Sequence, residues 1–176
     1  INDHVFKKPQ DIGHNIRLIA GYLHKNHPGY YFVRPVISNN GHDIIFMEGE
    51  GWFRLFPFVE GSHTENVVSS PEQAYEAAVQ FGRFSKLLSG FDASQLKITI
   101  PHFHDLELRY QQFLQAIKNG DDKRKIKSKK LIDQLLGNEN IVHHYRASMH
   151  DPEGKVRVTH HDTKISNVLF DEKAKA

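Results

Sequence analysis

The chain has 176 residues, 39% hydrophobic and 25% charged, which is the composition of a globular domain and excludes a wholly disordered protein. The absence of cysteine excludes disulfides, thiolate catalysis and cysteine-bound zinc, and it fits a reducing cytoplasm, where we expect the protein to work. Because the net charge is only +2 and no apolar run approaches the roughly 20 residues of a membrane span, we expect neither a nucleic-acid nor a membrane partner.

The first 60 residues are predicted to form one helix and a small sheet. Isoleucine and leucine recur at helical spacing over residues 9–25, and Pro9 suits the first turn of that helix. Three runs rich in aromatic and β-branched residues predict strands over 30–37, 44–47 and 52–59. The turn sequences between these runs favour an antiparallel meander.

The middle of the chain is predicted to be helical. Ser70-Pro71-Glu72-Gln73 has the pattern of a capping box, which predicts a helix from this point to Gly90. A second helix is expected from about Asp105 to Gly120, and a third over 126–136 that either continues or restarts through 141–149.

The end of the chain is predicted to return to β structure. Valines alternate with polar residues over 156–160, and a second apolar run follows over 168–170. The fold class predicted from this order of elements is α+β, with a small antiparallel sheet joined to a mainly helical part.

The loop between the last two predicted strands carries the groups best suited to chemistry. It holds Asp162, Lys164 and Asn167 within six residues. A carboxylate can accept or orient a hydroxyl proton, an ammonium can contact a phosphate oxygen, and an amide oxygen is a suitable ligand for Mg²⁺. This combination favours phosphoryl transfer, in which a protein mainly positions the reactants and neutralises charge.

The loop pattern H-x-D-x-K-x-x-N, followed by Val-Leu-Phe-Asp, resembles the catalytic loop of protein-kinase-like enzymes. Within them it is most similar to the aminoglycoside phosphotransferase and choline kinase family. Four segments in the same order along the chain resemble the N-acetylhexosamine 1-kinase subgroup. They are residues 1–9 (INDHVFKKP), 74–78 (AYEAA), 99–105 (TIPHFHD) and 159–164 (THHDTK).

The resemblance implies a role for each residue of the loop. Asp162 would be the catalytic carboxylate, Lys164 would contact the transferred phosphate, and Asn167 would be a magnesium ligand. His160 would support the loop. The cofactors implied are ATP and Mg²⁺, and the partner is a small-molecule substrate, an N-acetylhexosamine or a related sugar.

The resemblance also implies a binding site for adenine and one for the acceptor. The adenine ring would pair with main-chain groups at the interlobe hinge, formed by Phe58, Val59 and Glu60. His104 and Asp105 are candidates for the acceptor pocket.

The resemblance further implies two lobes, a partial N-lobe over 1–60 and a partial helical C-lobe over 61–176. The family's nucleotide-covering strands and phosphate-pairing lysine would precede residue 9. The family's second metal-binding aspartate would lie on a later strand, because Asp171 is expected in the turn before it. We therefore expect an internal segment, truncated at both ends and inactive alone, of a longer kinase.

Several alternatives stay open at this point. The acceptor of a kinase of this family could instead be choline, homoserine or an aminoglycoside, and the chain could belong to a pseudokinase or interaction module. The thirteen histidines could hold zinc, but adjacent histidines on a strand point to opposite faces. The basic run 123–130 is better explained as a solvated helix face, because aspartates precede it and it lacks aromatic residues.

Overall fold

The structure is a computed structural model in which residues 1–171 are described. These residues form an α+β fold, which confirms the predicted class. The helices are α1 (Pro9–Asn26), α2 (Pro71–Leu87), α3 (Leu106–Asn119), α4 (Asp122–Lys127), α5 (Lys129–Leu136) and α6 (Asn140–Met149). The strands are β1 (Ile45–Met47), β2 (Gly51–Phe53), β3 (Ser62–His63) and β4 (Phe170–Asp171), and two short 3₁₀ turns cover Ala93–Gln95 and Ile165–Asn167.

Helix α1 begins at Pro9, as predicted. The packing of the helix explains why glycine stands at position 13. A Cβ atom built on Gly13 would stand 2.7 Å from the Oδ1 atom of Asp43, so a larger residue would displace that carboxylate. Asp43 is buried and accepts two hydrogen bonds from the Arg17 guanidinium, at 3.0 and 3.1 Å. The close approach of Gly13 therefore lets α1 pack against the segment that leads into β1.

Helix α2 begins as its capping sequence predicts. The Ser70 hydroxyl accepts a hydrogen bond from the main-chain N–H of Gln73, at 3.2 Å. In a standard capping box the Gln73 side chain would accept a hydrogen bond from the N–H of the cap residue, Ser70. Here it accepts instead from the N–H of Ser69, at 2.8 Å. Two main-chain donors at the start of the helix are thereby satisfied.

We expect Ser70→Ala to lower the free energy of unfolding by about 1 kcal/mol, because it removes the cap of α2. Chemical denaturation followed by circular dichroism measures this loss. Ser85→Ala makes the same chemical change inside the same helix, where alanine is favoured, and should not destabilise the protein. Equal losses in the two variants would contradict the capping role.

The predicted three-stranded meander is wrong in part. Strands β1 and β2 form an antiparallel hairpin with Ile45 opposite Phe53, but no strand covers 30–37, and the third predicted strand ends at Phe53. Pro35 and Pro57 explain the difference, because a proline lacks the N–H that a β-ladder needs. One main-chain bond, from the N–H of Val36 to the carbonyl of Leu55 at 2.7 Å, joins the two irregular segments.

The end of the chain also differs from the prediction. Residues 156–160 form no strand, and β4 is limited to Phe170–Asp171. Strand β4 pairs antiparallel with β3, with Ser62 opposite Asp171 and His63 opposite Phe170. Asp171 therefore lies in a strand and not in the turn where the sequence placed it.

The described residues divide into two compact units, residues 1–100 with 156–171, and residues 101–155. The predicted lobe boundary near residue 60 falls within the first unit and stays a prediction. The core of the first unit is built around Leu23, Leu88 and Val158, of which the two leucines are each 1% exposed. These residues join α1, the end of α2 and the segment that leads into the Asp162 loop.

The second unit consists of α3 to α6. Helices α3 and α6 are joined by an ion pair between Glu107 and Arg146. Two basic residues of α4 and α5 have acidic partners about one turn away, Lys125 with Asp122 at 2.7 Å and Lys129 with Asp133 at 2.8 Å. Over residues 1–171, no helix combines the length and apolar character that crossing a membrane requires.

Candidate active site

The Asp162 loop is anchored at both ends by buried valines. Val158 belongs to the core of the first unit, and Val168 is buried to the same extent. Between them, the chain makes a 3₁₀ turn, in which the N–H of Asn167 donates to the carbonyl of Lys164 and that of Val168 to the carbonyl of Ile165. The loop is therefore held by apolar packing at its ends and by main-chain bonds near its C-terminal end.

The three side chains singled out from the sequence converge on this loop. The Asn167 Nδ2 atom donates to the Asp162 Oδ2 atom and to the Asp162 main-chain carbonyl, both at 2.9 Å. The Lys164 Nζ atom lies 3.5 Å from the same carboxylate oxygen. The side chains of Asp162 and Lys164 are 59% and 60% exposed, so a substrate can reach both of them.

The surroundings of Asp162 favour its ionised form. The hydrogen bond from Asn167 is the main cause that lowers the pKa of the Asp162 carboxyl below its ordinary value. The charges of Lys164 and His160 act in the same direction, and partial desolvation opposes them. Asp162 is therefore a carboxylate at neutral pH, able to accept a hydrogen bond or a proton.

The two histidines before Asp162 shape the loop. The His160 ring packs near Phe81 and Phe84, with centroid distances of 5.2 and 6.3 Å. His161 adopts a left-handed backbone conformation with φ of 63°, and its Nε2 atom lies 2.7 Å from the Thr159 hydroxyl. Such a conformation is uncommon outside glycine, and it turns the chain immediately before the carboxylate.

A cleft of about 710 Å³ adjoins the loop within the first unit. Its walls include Asn167 and Asp171 near the loop, and Val59 and Glu60 from the predicted hinge. Much of the remaining lining is aromatic: Tyr30, Tyr31, Phe32, Phe56, Phe81, Phe84 and Phe170. The size and mixed lining are those of a small-molecule site.

The three predicted hinge residues are placed differently around this cleft. Val59 and Glu60 line it, whereas Phe58 is 84% exposed and does not. The carbonyl of Val59 accepts a hydrogen bond from the Ser62 hydroxyl at 2.7 Å. The pairing of adenine with main-chain groups here stays a prediction.

Asp162 and Lys164 are not among the residues that line the cleft, and Asn167 links the two regions. Its side chain is bonded to Asp162 and also forms part of the cleft wall. Asn167 therefore connects the cleft wall to the Asp162 carboxylate.

Two charged residues of the cleft were not assigned to the site from the sequence, which placed Asp171 in a turn and did not single out Arg54. Asp171 reaches the cleft because β4 pairs with β3, and a pair of two-residue strands leaves no periodic signal. Arg54 also lines the cleft. The sequence did contain an indication of Arg54, because it is the single charged residue in the aromatic run between Trp52 and Phe58.

The candidate acceptor residues lie in the second unit. The Asp105 carboxylate caps α3 by accepting from the N–H of Leu108 at 2.9 Å, and it lies 3.2 Å from the Nδ1 atom of His102. The hydrogen bond from Leu108 is the main cause that lowers the pKa of Asp105. This carboxylate has a clear structural use, and an acceptor-binding role for it or for His104 stays a prediction.

The histidine and carboxylate side chains of residues 1–171 do not form any cluster of three or more that could hold a metal ion. The pairs at 102 and 104, 143 and 144, and 160 and 161 therefore gain no support as protein-built zinc sites.

An exposed carboxylate that accepts a hydrogen bond from an amide and lies near an ammonium is an arrangement suited to phosphoryl transfer. A model of the phosphotransferase enzyme family (APH) matches residues 17–176. The chain belongs to this family. Membership makes the protein a small-molecule phosphotransferase and implies a nucleotide as the phosphate donor.

Proposed function

We propose that the full-length protein transfers the γ-phosphate of ATP to a hydroxyl group of a sugar, an N-acetylhexosamine or a related sugar. The observation that carries this proposal is the Asp162 carboxylate, ionised and accessible, with Lys164 and Asn167 on the same loop. ATP as the donor agrees with the cytoplasmic location predicted from the sequence.

In the proposed reaction the acceptor oxygen forms a bond to the γ-phosphorus, and the bond from that phosphorus to the β,γ-bridging oxygen breaks. Asp162 orients the acceptor hydroxyl and takes its proton, and ADP leaves with the bridging oxygen. Lys164 neutralises charge on the transferred phosphoryl group. These roles require positioned charges and no covalent intermediate, as is usual for phosphoryl transfer.

The side chains near Asn167 fit a magnesium ion by the chemistry of their donors. Within residues 1–171, both hydrogen bonds of the Asn167 side chain use its nitrogen, so that no described residue occupies the amide oxygen. The Asp171 carboxylate lines the same cleft. Mg²⁺ prefers oxygen donors and commonly binds through one or two protein groups together with phosphates. Bound there, it would neutralise charge on the nucleotide phosphates.

The cleft suits the base of the nucleotide. Its aromatic side chains offer apolar faces to a flat ring, and Val59 and Glu60 bring main-chain groups to the same wall. We place the adenine ring in this part of the cleft, so that the phosphate chain extends toward Asn167.

The choice of acceptor rests on the four segments that resemble the N-acetylhexosamine 1-kinase subgroup. A panel assay on the full-length protein with ATP and Mg²⁺ tests this choice. The panel contains N-acetylglucosamine, N-acetylgalactosamine, choline, homoserine and an aminoglycoside, and ADP release is measured for each. We expect turnover with one or both N-acetylhexosamines, and ³¹P NMR of the product identifies the hydroxyl.

The Asp162→Asn variant, purified in the same way, measures the background from contaminating kinases. Turnover with choline, homoserine or the aminoglycoside, and with neither sugar, would show that the acceptor is not an N-acetylhexosamine. Absence of ATP binding by the unmodified protein would refute phosphotransfer itself.

A further inference from the structure

Arg54 is a charged residue of the cleft in the first unit, and its guanidinium packs against an aromatic ring. It follows β2 directly and lines the cleft described above. Its guanidinium carbon stands 5.0 Å from the centre of the Phe56 ring, a cation–π contact that fixes its position against the cleft wall.

Arg54 has no acidic partner among residues 1–171. Its guanidinium takes part in none of the ion pairs or side-chain hydrogen bonds there, whereas Arg17 is paired with the buried carboxylate of Asp43. The side chain keeps contact with solvent, yet protein atoms around it remove enough water to lower the pKa of Arg54 below its ordinary value. A guanidinium remains charged under these conditions. It is thus a partly desolvated cation available to an anion.

The cleft itself needs such a cation if it is to hold phosphates. Glu60 and Asp171 line it and contribute negative charge. Among the described residues of the lining, Arg54 is the only lysine or arginine, because Lys164 lies outside it. The planar guanidinium offers two parallel N–H donors, the geometry that suits phosphate oxygens.

We propose that Arg54 is a nucleotide-binding residue that contacts the phosphate chain of the donor. This inference rests on the proposed function, since it takes ATP to be the molecule in the cleft. Arg54 acts in binding and takes no part in the transfer of the proton or of the phosphoryl group. From the irregular segment between β2 and the predicted hinge, it supplies a positive charge that acts without the metal.

The test compares adenosine, ADP and ATP binding to the full-length protein by calorimetry, in EDTA so that metal does not contribute. We expect Arg54→Gln to weaken ADP and ATP binding about tenfold or more, and to change adenosine affinity less than about twofold. Arg54→Lys keeps the charge and loses the planar donor pair. Its affinity for ADP and ATP should therefore lie between that of Arg54→Gln and that of the unmodified protein. Arg83→Gln is the matched control, because Arg83 also stacks on an aromatic ring, that of Tyr30 at 5.4 Å, but does not line the cleft.

Equal losses for adenosine and ADP would overturn the proposal, since Arg54 would then shape the base site and not contact phosphate. Unchanged ADP affinity would overturn it as well. The failure of the proposed function is recognised separately, because the unmodified protein would then bind neither ADP nor ATP even when Mg²⁺ is added back. Thermal unfolding of each variant shows whether any loss of binding reflects a damaged fold.

Discussion

Replacing Asp162 with asparagine is expected to lower kcat about 10³-fold, because the variant cannot accept the proton of the acceptor hydroxyl. The amide is nearly the same size as the carboxylate, and the side chain is 59% exposed, so the fold should not change. Asp162 lies outside the lining of the cleft, and ATP affinity should therefore stay within about twofold of the original. Steady-state kinetics on the full-length protein, with ATP binding measured in parallel, separates these two effects.

Asp92→Asn provides a matched control for this variant. Asp92 is also an exposed aspartate of the first unit, and hydrogen bonds from Ser94 lower the pKa of its carboxyl. It caps the 3₁₀ turn Ala93–Gln95 and, within residues 1–171, makes no hydrogen bond to the Asp162 loop, so its amide variant should keep kcat close to the original value. If Asp162→Asn retained more than a tenth of kcat, the carboxylate would not be the proton acceptor.

Helices α1, α2 and α3 could be predicted because their signals lie within a few residues of one another, whereas the single helix predicted over 126–136 is wrong, since α4 ends at Lys127 and α5 begins at Lys129. The apolar spacing of α1, the cap of α2 at Ser70 and the Asp105 cap of α3 are all local, and each helix begins where its signal stands. Local rules also identified the loop, since Asp162, Lys164 and Asn167 are close in sequence and their hydrogen bonds span at most five residues.

The sheets were harder because strand pairing depends on residues far apart in sequence. The runs over 30–37 and 52–59 have β-forming composition, but their prolines and the packing of side chains such as Phe32 against Phe84 leave most of them irregular. The pairing of β3 with β4 places Ser62 opposite Asp171, so that β4, the strand after the Asp162 loop, lies next to the segment that follows the predicted hinge. Composition alone contains no signal for such a contact, so the part of the cleft wall that Asp171 forms could not be predicted.

Replacing Asn167 with alanine is expected to lower kcat about 10²-fold through two separate losses. Asp162 loses both hydrogen bonds from the amide nitrogen, so its carboxylate is no longer held in one orientation. The cleft loses the amide oxygen that we assign to Mg²⁺, and the concentration of Mg²⁺ that gives half of the maximal rate should rise. Kinetic titration with Mg²⁺ at saturating ATP measures both effects on the full-length protein.

Asn15→Ala is the matched control, because the Asn15 side chain also makes two hydrogen bonds, with the carbonyl and the N–H of Lys97, both at 2.8 Å. Its loss removes the same number of bonds from the first unit and should leave the Mg²⁺ dependence unchanged. The double variant that combines Asn167→Ala with Asp162→Asn should lose less activity than the product of the two single losses, because Asn167 and Asp162 act through one contact. A lower kcat with an unchanged Mg²⁺ requirement would assign Asn167 to the positioning of Asp162 alone and remove it from the metal site.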